Sequence, residues 1–287
     1  MTKKILITGA NGQLGHEMRN ALKGNNRFEC IFTDVAELDI CNTEAVKQTM
    51  ANNHIDYIVN CAAYTQVDKA EDNAELCKKI NTDAVENLAR AAADYGARMI
   101  HISTDYVFNG RGYRPYTEDM VPDPQSVYGS TKLEGEKILT DICPESIIIR
   151  TAWLYSPYGN NFVKTMLHLG EEREELSVVA DQIGTPTCAA DLAQAILVIL
   201  QADTFVPGTY HFSDEGVCSW YDFTVTIHRL AGITTCRVTP SDEYPSKAHR
   251  PFYSVLDKSK IKKTYGLTIP HWYESLSNCI KLLQETH

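Results

Sequence analysis

The feature that most constrains the fold is the alternation of short apolar, β-branched runs with helical patterns over the first 150 residues. This order is typical of βαβ units, which build a parallel sheet with helices on both faces. The strand runs are hydrophobic almost without interruption, as expected where both faces of a sheet are buried. We therefore predict an α/β protein with a doubly wound, Rossmann-like parallel sheet. The predicted strands cover residues 3–8, 28–34, 57–61, 99–103 and 146–150.

The alternation loosens after Arg150, and the last third of the chain carries helical segments separated by loops that contain Pro and Gly. This change predicts a smaller C-terminal lobe. We assign residues 1–152, with a return segment near 176–213, to a dinucleotide-binding domain. Residues near 153–175 and 214–287 are assigned to the substrate-binding lobe.

Charge and composition exclude several classes of protein. The 287 residues include 27 basic and 37 acidic side chains, a formal net charge of −10 that repels a nucleic-acid backbone. The longest apolar runs are far shorter than the roughly 20 residues of a membrane span, and the N-terminal run is too short for a signal peptide. We therefore expect a cytoplasmic protein without nucleic-acid or membrane partners. Nine scattered cysteines without a C-x-x-C spacing predict reduced thiols and no zinc site.

A glycine-rich turn joins the first predicted strand to the first predicted helix. Glycines there let a pyrophosphate approach the backbone, and the helix N-terminus supplies free N–H groups and a positive dipole end. Asp34, at the end of the second strand, is placed to accept from the adenosine ribose, which favours NAD. The alternative for the glycines is a tight turn that binds no ligand. The alternative for Asp34 is a carboxylate that only belongs to the turn at the end of the strand. The predicted cofactor contacts in the turn are Gly9, Asn11, Gly12, Gln13, Leu14 and Gly15.

Tyr128 and Lys132 are four residues apart, so they share one face of the helix predicted around them. A nearby ammonium favours the phenolate of a tyrosine, which suits Tyr128 to acid–base work on a carbonyl during hydride delivery. Thr104, at the carboxyl end of a strand, is placed to donate a hydrogen bond to the same carbonyl. We predict these three residues as the catalytic set. A surface helix pair is the alternative interpretation of Tyr128 and Lys132.

Longer strings extend this pattern over nearly the whole chain: A-A-Y-T-Q-V-D-K-A-E at 62–71, S-T-D-Y-V-F at 103–108, Y-G-S-T-K at 128–132 and D-Q-I-G-T-P-T at 181–187. With these motifs the sequence resembles the extended short-chain dehydrogenase/reductase superfamily, and more closely the dTDP-4-dehydrorhamnose reductases of the rhamnose pathway. The resemblance implies reduction of the 4-keto group of dTDP-4-dehydro-L-rhamnose with NADPH or NADH. It assigns catalysis to Thr104, Tyr128 and Lys132, and it also places Tyr128 and Lys132 in contact with the cofactor. It allows a homodimer.

The resemblance also implies contacts that are weaker individually. On the cofactor it places Asp39, Ile40, Cys61, Ala62, Ala63 and Tyr64, although Asp39 equally fits a cap for the following helix. Beside the substrate it places Thr65, Val67, Thr104, Asp105 and Trp153, with core packing as the alternative for Trp153. Arg250 is the candidate for the substrate diphosphate, because a guanidinium fork matches phosphate geometry in an otherwise acidic protein.

Some reductases of this family are described as magnesium-dependent dimers, but no carboxylate cluster here fits that role and position 190 is Ala190. No metal site is predicted. One alternative is a non-catalytic, dinucleotide-binding regulatory subunit, which the intact Thr104, Tyr128 and Lys132 disfavour. Another is a nucleotide-sugar epimerase or dehydratase. Dehydratases typically add an Asp-Glu pair beside the threonine, whereas Asp105-Tyr106 follows Thr104 here.

Overall fold

The structure is a computed structural model that describes residues 2–242 and 244–285. The strands in this part of the chain are β1 (Lys3–Thr8), β2 (Phe28–Thr33), β3 (Tyr57–Asn60), β4 (Arg98–Thr104), β5 (Ile147–Thr151), β6 (Leu154–Tyr155), β7 (Glu175–Val179), β8 (Ile183–Gly184), β9 (Thr187–Cys188), β10 (Gly208–His211), β11 (Cys218–Ser219) and β12 (Arg237–Ser241). The α-helices are α1 (Gln13–Leu22), α2 (Thr43–Asn53), α3 (Val67–Ala70), α4 (Ala74–Lys78), α5 (Ala84–Tyr95), α6 (Val127–Ile142), α7 (Phe162–Glu172), α8 (Ala189–Gln201), α9 (Trp220–Ala231), α10 (Ser259–Tyr265) and α11 (Trp272–Glu285).

Six strands form one parallel sheet in the order β10-β5-β4-β3-β1-β2. The chain runs from β1 to β2 on one side and then crosses to β3 on the other side of β1, so the winding direction reverses at β1. Open α/β sheets bind ligands at such a switch point, outside the carboxyl ends of the strands. The loops after β1 and β3 are therefore placed to form a binding crevice. The predicted doubly wound, Rossmann-like sheet is confirmed.

Helices cover both faces of this sheet because the side chains of its strands alternate between two apolar clusters. Along β1, Ile5 and Ile7 pack towards Met18 of α1 and Ile196 of α8. Leu6 lies between them and packs into the opposite cluster, which is formed with α2 and α5. This period of two is the geometry of an extended strand that is buried on both faces.

Residues 74–95 form a continuous but not uniform helical stretch. A π-helical turn at Lys79–Asp83 separates α4 from α5. Asn81 of this turn holds the backbone of Tyr64, accepting from its N–H over 2.9 Å and donating to its carbonyl over 3.1 Å. The turn thereby fixes the loop that leaves β3 at the switch point.

A second body is built around α7, α9 and α11, whose apolar faces meet at Phe223 and Leu276. Here β7 pairs in parallel with β12. Residues 176–213 are therefore divided between the two bodies. Strand β10 belongs to the six-stranded sheet and α8 packs on that sheet, whereas β7 pairs within the second body. The proposed division into two domains stays a prediction. No helix within the described residues combines the length and the apolarity that crossing a bilayer requires.

Candidate active site

The turn between β1 and α1 approaches the loop after β3 closely. Gly9 has φ +64°, and a Cβ at this position would lie 2.6 Å from the backbone nitrogen of Ala62, so only glycine fits. Gly12 precedes α1 without a side-chain cap, and the first turn of α1 contains no acidic residue. The positive end of α1 is therefore open to an anionic ligand such as a pyrophosphate.

Two cavities flank this turn and share Gly12, Cys61 and Ala63 in their walls. The larger has a volume of about 540 Å³, and the smaller has a volume of about 390 Å³. The larger cavity is lined by the predicted residues Gly12, Gln13, Leu14, Cys61, Ala63, Thr65, Val67, Thr104, Asp105, Tyr128, Lys132, Trp153 and Arg250. The smaller cavity is lined by the predicted residues Gly9, Gly12, Asp34, Asp39, Ile40, Cys61, Ala62 and Ala63.

Some of the predicted cofactor contacts lie outside both cavities. These are Asn11, Gly15 and Tyr64. Gly15 packs behind the turn, where a Cβ would meet the backbone of Ala10. The backbone of Tyr64 is bound to the π-helical turn. Their contacts with a cofactor stay predictions, and the structure gives Gly15 and Tyr64 a packing role in shaping the crevice.

The carboxylate of Asp34 is fixed at the end of β2 beside the glycine-rich turn. It accepts from the N–H of Asn11 over 2.9 Å and from the N–H of Val35 over 2.8 Å. Lys79, which the sequence interpretation did not single out, lines the same smaller cavity. This cavity therefore offers a carboxylate acceptor for ribose hydroxyls together with a cation.

Asp39 lies in the loop before α2, where its Oδ1 accepts from the N–H of Cys41 over 2.9 Å. The cap of α2 is Asn42, whose side chain accepts from the N–H of Ala45. The alternative role of Asp39 as the helix cap is therefore wrong, because a residue closer to the helix start takes that position.

Tyr128 is brought to the larger cavity by close packing of α6. Ser126 caps this helix by accepting from the N–H of Gly129 over 3.1 Å. A Cβ on Gly129 would overlap the carbonyl oxygen of Tyr106, which belongs to a 3₁₀ turn that follows β4. Without that Cβ the helix lies directly against the turn, and the hydroxyl of Tyr128 lies beside that of Thr104 on the cavity wall.

The hydroxyl of Thr104 is the centre of a small polar group. It donates to Oδ1 of Asp105 over 2.9 Å and accepts from the N–H of Tyr106 over 3.2 Å. Asp105 is 2% exposed, and burial raises the pKa of its carboxyl to about 6, against the opposing effect of the Thr104 hydrogen bond. The hydrogen-bonded pair of Thr104 and Asp105 thus lies beside Tyr128 on the cavity wall.

The charge state of Tyr128 differs from the sequence-based expectation. Burial raises the pKa of Tyr128, although the hydrogen bond with Thr104 opposes the change. Lys132 donates from Nζ to the carbonyl of Ile102 over 2.6 Å, and burial lowers its own pKa to about 8, against the opposing charge of Glu136. Because burial raises the pKa and the charges of Asp105, Tyr106 and Cys77 act in the same direction, Tyr128 is held as the neutral phenol. This is the form that a proton donor requires.

An aromatic wall closes the side of the larger cavity that belongs to the second body. Trp153, which has φ +48°, stacks on Trp220 with ring centroids 3.5 Å apart and planes inclined by 9°. Trp220 was missed by the sequence interpretation, although the capping box between Ser219 and Asp222 marks it as the first residue of a helix. The paired indoles give a flat, rigid surface for a planar or ring-shaped ligand.

Arg250 reaches the same cavity from the C-terminal part of the chain. It donates from Nη2 to Asp68 over 2.6 Å and from Nε to Ser246 over 3.0 Å. Although burial acts to raise it, the pKa of Asp68 is held below its usual value by hydrogen bonds from Ser246, Ala248 and Arg250. Tyr106, also missed from the sequence, lines the cavity beside Arg250. The structure thus places a cation and the hydroxyls that were predicted to be catalytic around one cavity.

Within residues 2–242 and 244–285, no group of three or more His, Cys, Asp and Glu side chains is arranged to hold a metal ion.

Comparison with known proteins gives consistent relatives over the full length. The family model described as "RmlD substrate binding domain" matches residues 3–285. A dTDP-4-dehydrorhamnose reductase of Escherichia coli K12 is 42% identical over 297 residues, covering 98% of each chain. The crystal structure of a dTDP-4-dehydrorhamnose reductase from Clostridium acetobutylicum superposes with a TM-score of 0.94 at 49% identity, covering 98% of this chain and 99% of the other.

A reductase of the same name from Bacillus anthracis, solved in complex with NADP, also superposes with a TM-score of 0.94. It is 40% identical, and the match covers 98% of this chain and 100% of the other. Since the family model and these relatives extend over both bodies of the fold, the chain belongs to the RmlD substrate binding domain family and, within it, to the dTDP-4-dehydrorhamnose reductases.

Proposed function

We propose that this protein reduces the 4-keto group of dTDP-4-dehydro-L-rhamnose to give dTDP-L-rhamnose, with NADPH or NADH as the reductant. One observation carries the proposal: the hydroxyls of Tyr128 and Thr104 meet on the wall of a cavity that continues past the glycine-rich turn. The full-length relatives named as reductases support it. They do not favour a regulatory subunit, an epimerase or a dehydratase.

The residues present fit a dinucleotide. The uncapped start of α1 with Gly12 and Gln13 would hold the pyrophosphate, and Asp34 with Ile40 would hold the adenosine end. Tyr128 would lie at the nicotinamide end, since it lines the cavity on the other side of the turn. When bound, a reduced nicotinamide supplies a hydride to the carbonyl carbon.

Tyr128 acts as the general acid in this proposal. As the carbonyl becomes an alkoxide, the neutral phenol gives its proton to the oxygen and is left as a phenolate. Thr104 holds the same oxygen by a hydrogen bond, and the ammonium of Lys132 stabilises the phenolate until a proton returns from solvent. Hydride on carbon and proton on oxygen together complete the alcohol.

The rest of the larger cavity supplies binding. The stacked Trp153 and Trp220 form a surface for the sugar or the base, and Arg250 supplies a guanidinium for the diphosphate. We further propose the two-domain division and a cytoplasmic location on the basis of the sequence pattern, and a homodimer on the basis of the family resemblance. The cavity itself is assembled from both bodies of the fold, as a domain boundary at the site requires.

The test is to mix purified protein with dTDP-4-dehydro-L-rhamnose and to follow the near-ultraviolet absorbance of NADPH or NADH. We expect one cofactor to be oxidised for each substrate consumed, with a product heavier by two hydrogens. dTDP-glucose serves as the matched control, because a dehydratase would convert it without net oxidation of added cofactor. Conversion of dTDP-glucose, or no oxidation with either cofactor, would contradict the proposed reduction.

A further inference from the structure

A buried chain of four polar side chains runs from β1 through β3 and β4 to α6. Thr8 Oγ1 lies 2.7 Å from Asn60 Oδ1, Asn60 Nδ2 lies 3.0 Å from His101 Nδ1, and His101 Nε2 lies 3.3 Å from Lys132 Nζ. None of the four is more than 1% exposed. The reaction proposed above uses only Lys132, so the other three call for an explanation.

The orientation of the Asn60 amide is fixed by its surroundings. Its Oδ1 accepts from the hydroxyl of Thr8 and, over 3.2 Å, from the backbone N–H of Ala62. A backbone N–H only donates, so the atom that faces Ala62 must be the amide oxygen. The NH₂ group of Asn60 therefore faces His101.

This orientation selects one tautomer of His101. An amide NH₂ also only donates, so His101 Nδ1 must be the acceptor and carries no proton. Burial, with the charge of Lys132 adding to it, lowers the pKa of His101 well below its usual value, so the ring is neutral. The single ring proton then lies on Nε2, which faces Nζ of Lys132.

The two forms of Lys132 meet this N–H differently. An ammonium has three donors and no acceptor, so it opposes the N–H of His101, whereas a neutral amine accepts from it. The carbonyl of Ile102 accepts from Nζ in both forms. We infer that His101 is a positioning residue: held by Asn60 with its proton on Nε2, it favours the neutral amine of Lys132 over the ammonium.

The other titratable groups around Lys132 do not remove this effect. Glu136, one turn further along α6, favours the ammonium, but its carboxylate is shared with Arg150 at 2.7 Å. Cys77 of α4 also faces Lys132, and burial raises the pKa of this thiol, which keeps it neutral. Two other titratable groups, Asp105 and Tyr106, lie next to the N-terminal end of α6, and they act on Tyr128.

A kinetic consequence follows if the proposed reduction holds. Only the ammonium stabilises the phenolate of Tyr128, so turnover should fall on the alkaline side as Lys132 loses its proton. By favouring the amine, His101 places this fall at a lower pH than an unopposed lysine would give. A change that reverses the tautomer of His101 should therefore move the alkaline limb of the kcat/KM profile upward.

Asn60→Asp makes this change with almost no change in shape. A carboxylate at position 60 accepts from Nδ1–H of His101, which leaves Nε2 free to accept from the ammonium. We expect the alkaline limb to rise by about one pH unit. Thr8→Val is the matched control, because Ala62 still fixes the Asn60 amide. It should lower the melting temperature and leave the limb in place.

The decisive measurement is nitrogen NMR of protein labelled with ¹⁵N-histidine, with the His101 signals assigned by their loss in His101→Gln. We expect a proton on Nε2 and none on Nδ1 in the wild type, and the reverse in Asn60→Asp. A wild-type proton on Nδ1 would overturn the inference whether or not the protein turns over its substrate. Failure of the reductase assay with the expected tautomer would overturn only the proposed function.

The kinetic arm separates a positioning role from a structural one. If the tautomer reverses in Asn60→Asp and the alkaline limb stays in place, His101 does not act on Lys132. His101→Gln gives a second route should Asn60→Asp not fold, because its amide oxygen accepts from the ammonium and should raise the limb in the same direction. A limb that does not move in His101→Gln would contradict the inference, even if the melting temperature falls.

Discussion

Arg250 and Asp68 form an ion pair with 2.6 Å between Nη2 and Oδ2, although 182 positions separate them in the chain. The pair links α3 to the C-terminal segment at the wall of the larger cavity. Asp68 also accepts from the N–H groups of Lys247 and Ala248, each over 3.1 Å. The carboxylate therefore fixes the position of the Arg250 guanidinium at the cavity wall.

Arg250→Ala should raise KM for the nucleotide sugar about tenfold or more, since a hydrogen bond to a charged group contributes about 1.5 to 3 kcal/mol. The affinity for NADPH should not change, because the glycine-rich turn lies on another wall. Arg250→Lys should recover only part of the loss, since the ammonium keeps the charge and loses the fork. These are measured by steady-state kinetics and cofactor titration.

The matched control for Arg250 is Asp68→Asn, which removes the carboxylate and keeps the guanidinium. It should lower the melting temperature by releasing the loop around Ala248, and its effect on KM should be smaller than that of Arg250→Ala. If Arg250→Ala instead lowers the melting temperature and leaves KM unchanged, Arg250 only ties this loop to the body.

The lining of the smaller cavity predicts weak discrimination between NADH and NADPH. In the proposed cofactor site, Asp34 would accept from a ribose hydroxyl and oppose a 2′-phosphate, whereas Lys79 in the same cavity would attract one. We expect kcat/KM for the two cofactors to agree within about tenfold, and Asp34→Asn to shift the ratio towards NADPH. Glu37→Gln is the control, because Glu37 accepts from the N–H of Asp34 outside the cavity. A wild-type ratio of about 1,000 for NADPH would contradict this role of Asp34.

Asp214 should make stability depend on pH with a defined sign. This residue is fully buried and accepts from the N–H of Cys188 over 2.9 Å, and burial raises its pKa to about 8. Between its unfolded pKa and about 8 the folded state alone holds the proton, so this contribution to stability is lost as pH rises through that window.

Asp214→Asn keeps the acceptor for Cys188 and does not titrate. Its free energy of unfolding, relative to the wild type, should therefore rise from about pH 4 to about pH 8 and then level off. We expect a rise of more than about 1 kcal/mol, since one pKa unit corresponds to about 1.4 kcal/mol. Denaturant unfolding at several pH values measures it. A difference that does not change with pH would show that Asp214 ionises freely in the folded protein.

The sequence predicted those parts of the fold and site that depend on neighbours along the chain. The period-two burial of Ile5, Leu6 and Ile7, and the four-residue spacing of Tyr128 and Lys132, are local patterns that the structure repeats. The five strands predicted in the first 150 residues all occur, with ends that differ by at most one residue.

Contacts between distant residues could not be predicted in the same way. The partner of Arg250 and the stack of Trp153 on Trp220 depend on how two bodies pack, and no spacing in the sequence records that. The pKa of Tyr128 was expected to fall because Lys132 is nearby in sequence. Burial decides it instead, and burial is set by the whole fold.

The central claim is that Tyr128 supplies the proton, and kcat of Tyr128→Phe at saturating substrate tests it most directly. The variant loses one hydroxyl, so it should fold and bind NADPH nearly as the wild type does. We predict that kcat falls about 10²- to 10⁴-fold, the range that a general acid contributes. A folded variant that binds cofactor and keeps more than about half of the wild-type kcat would contradict this role of Tyr128.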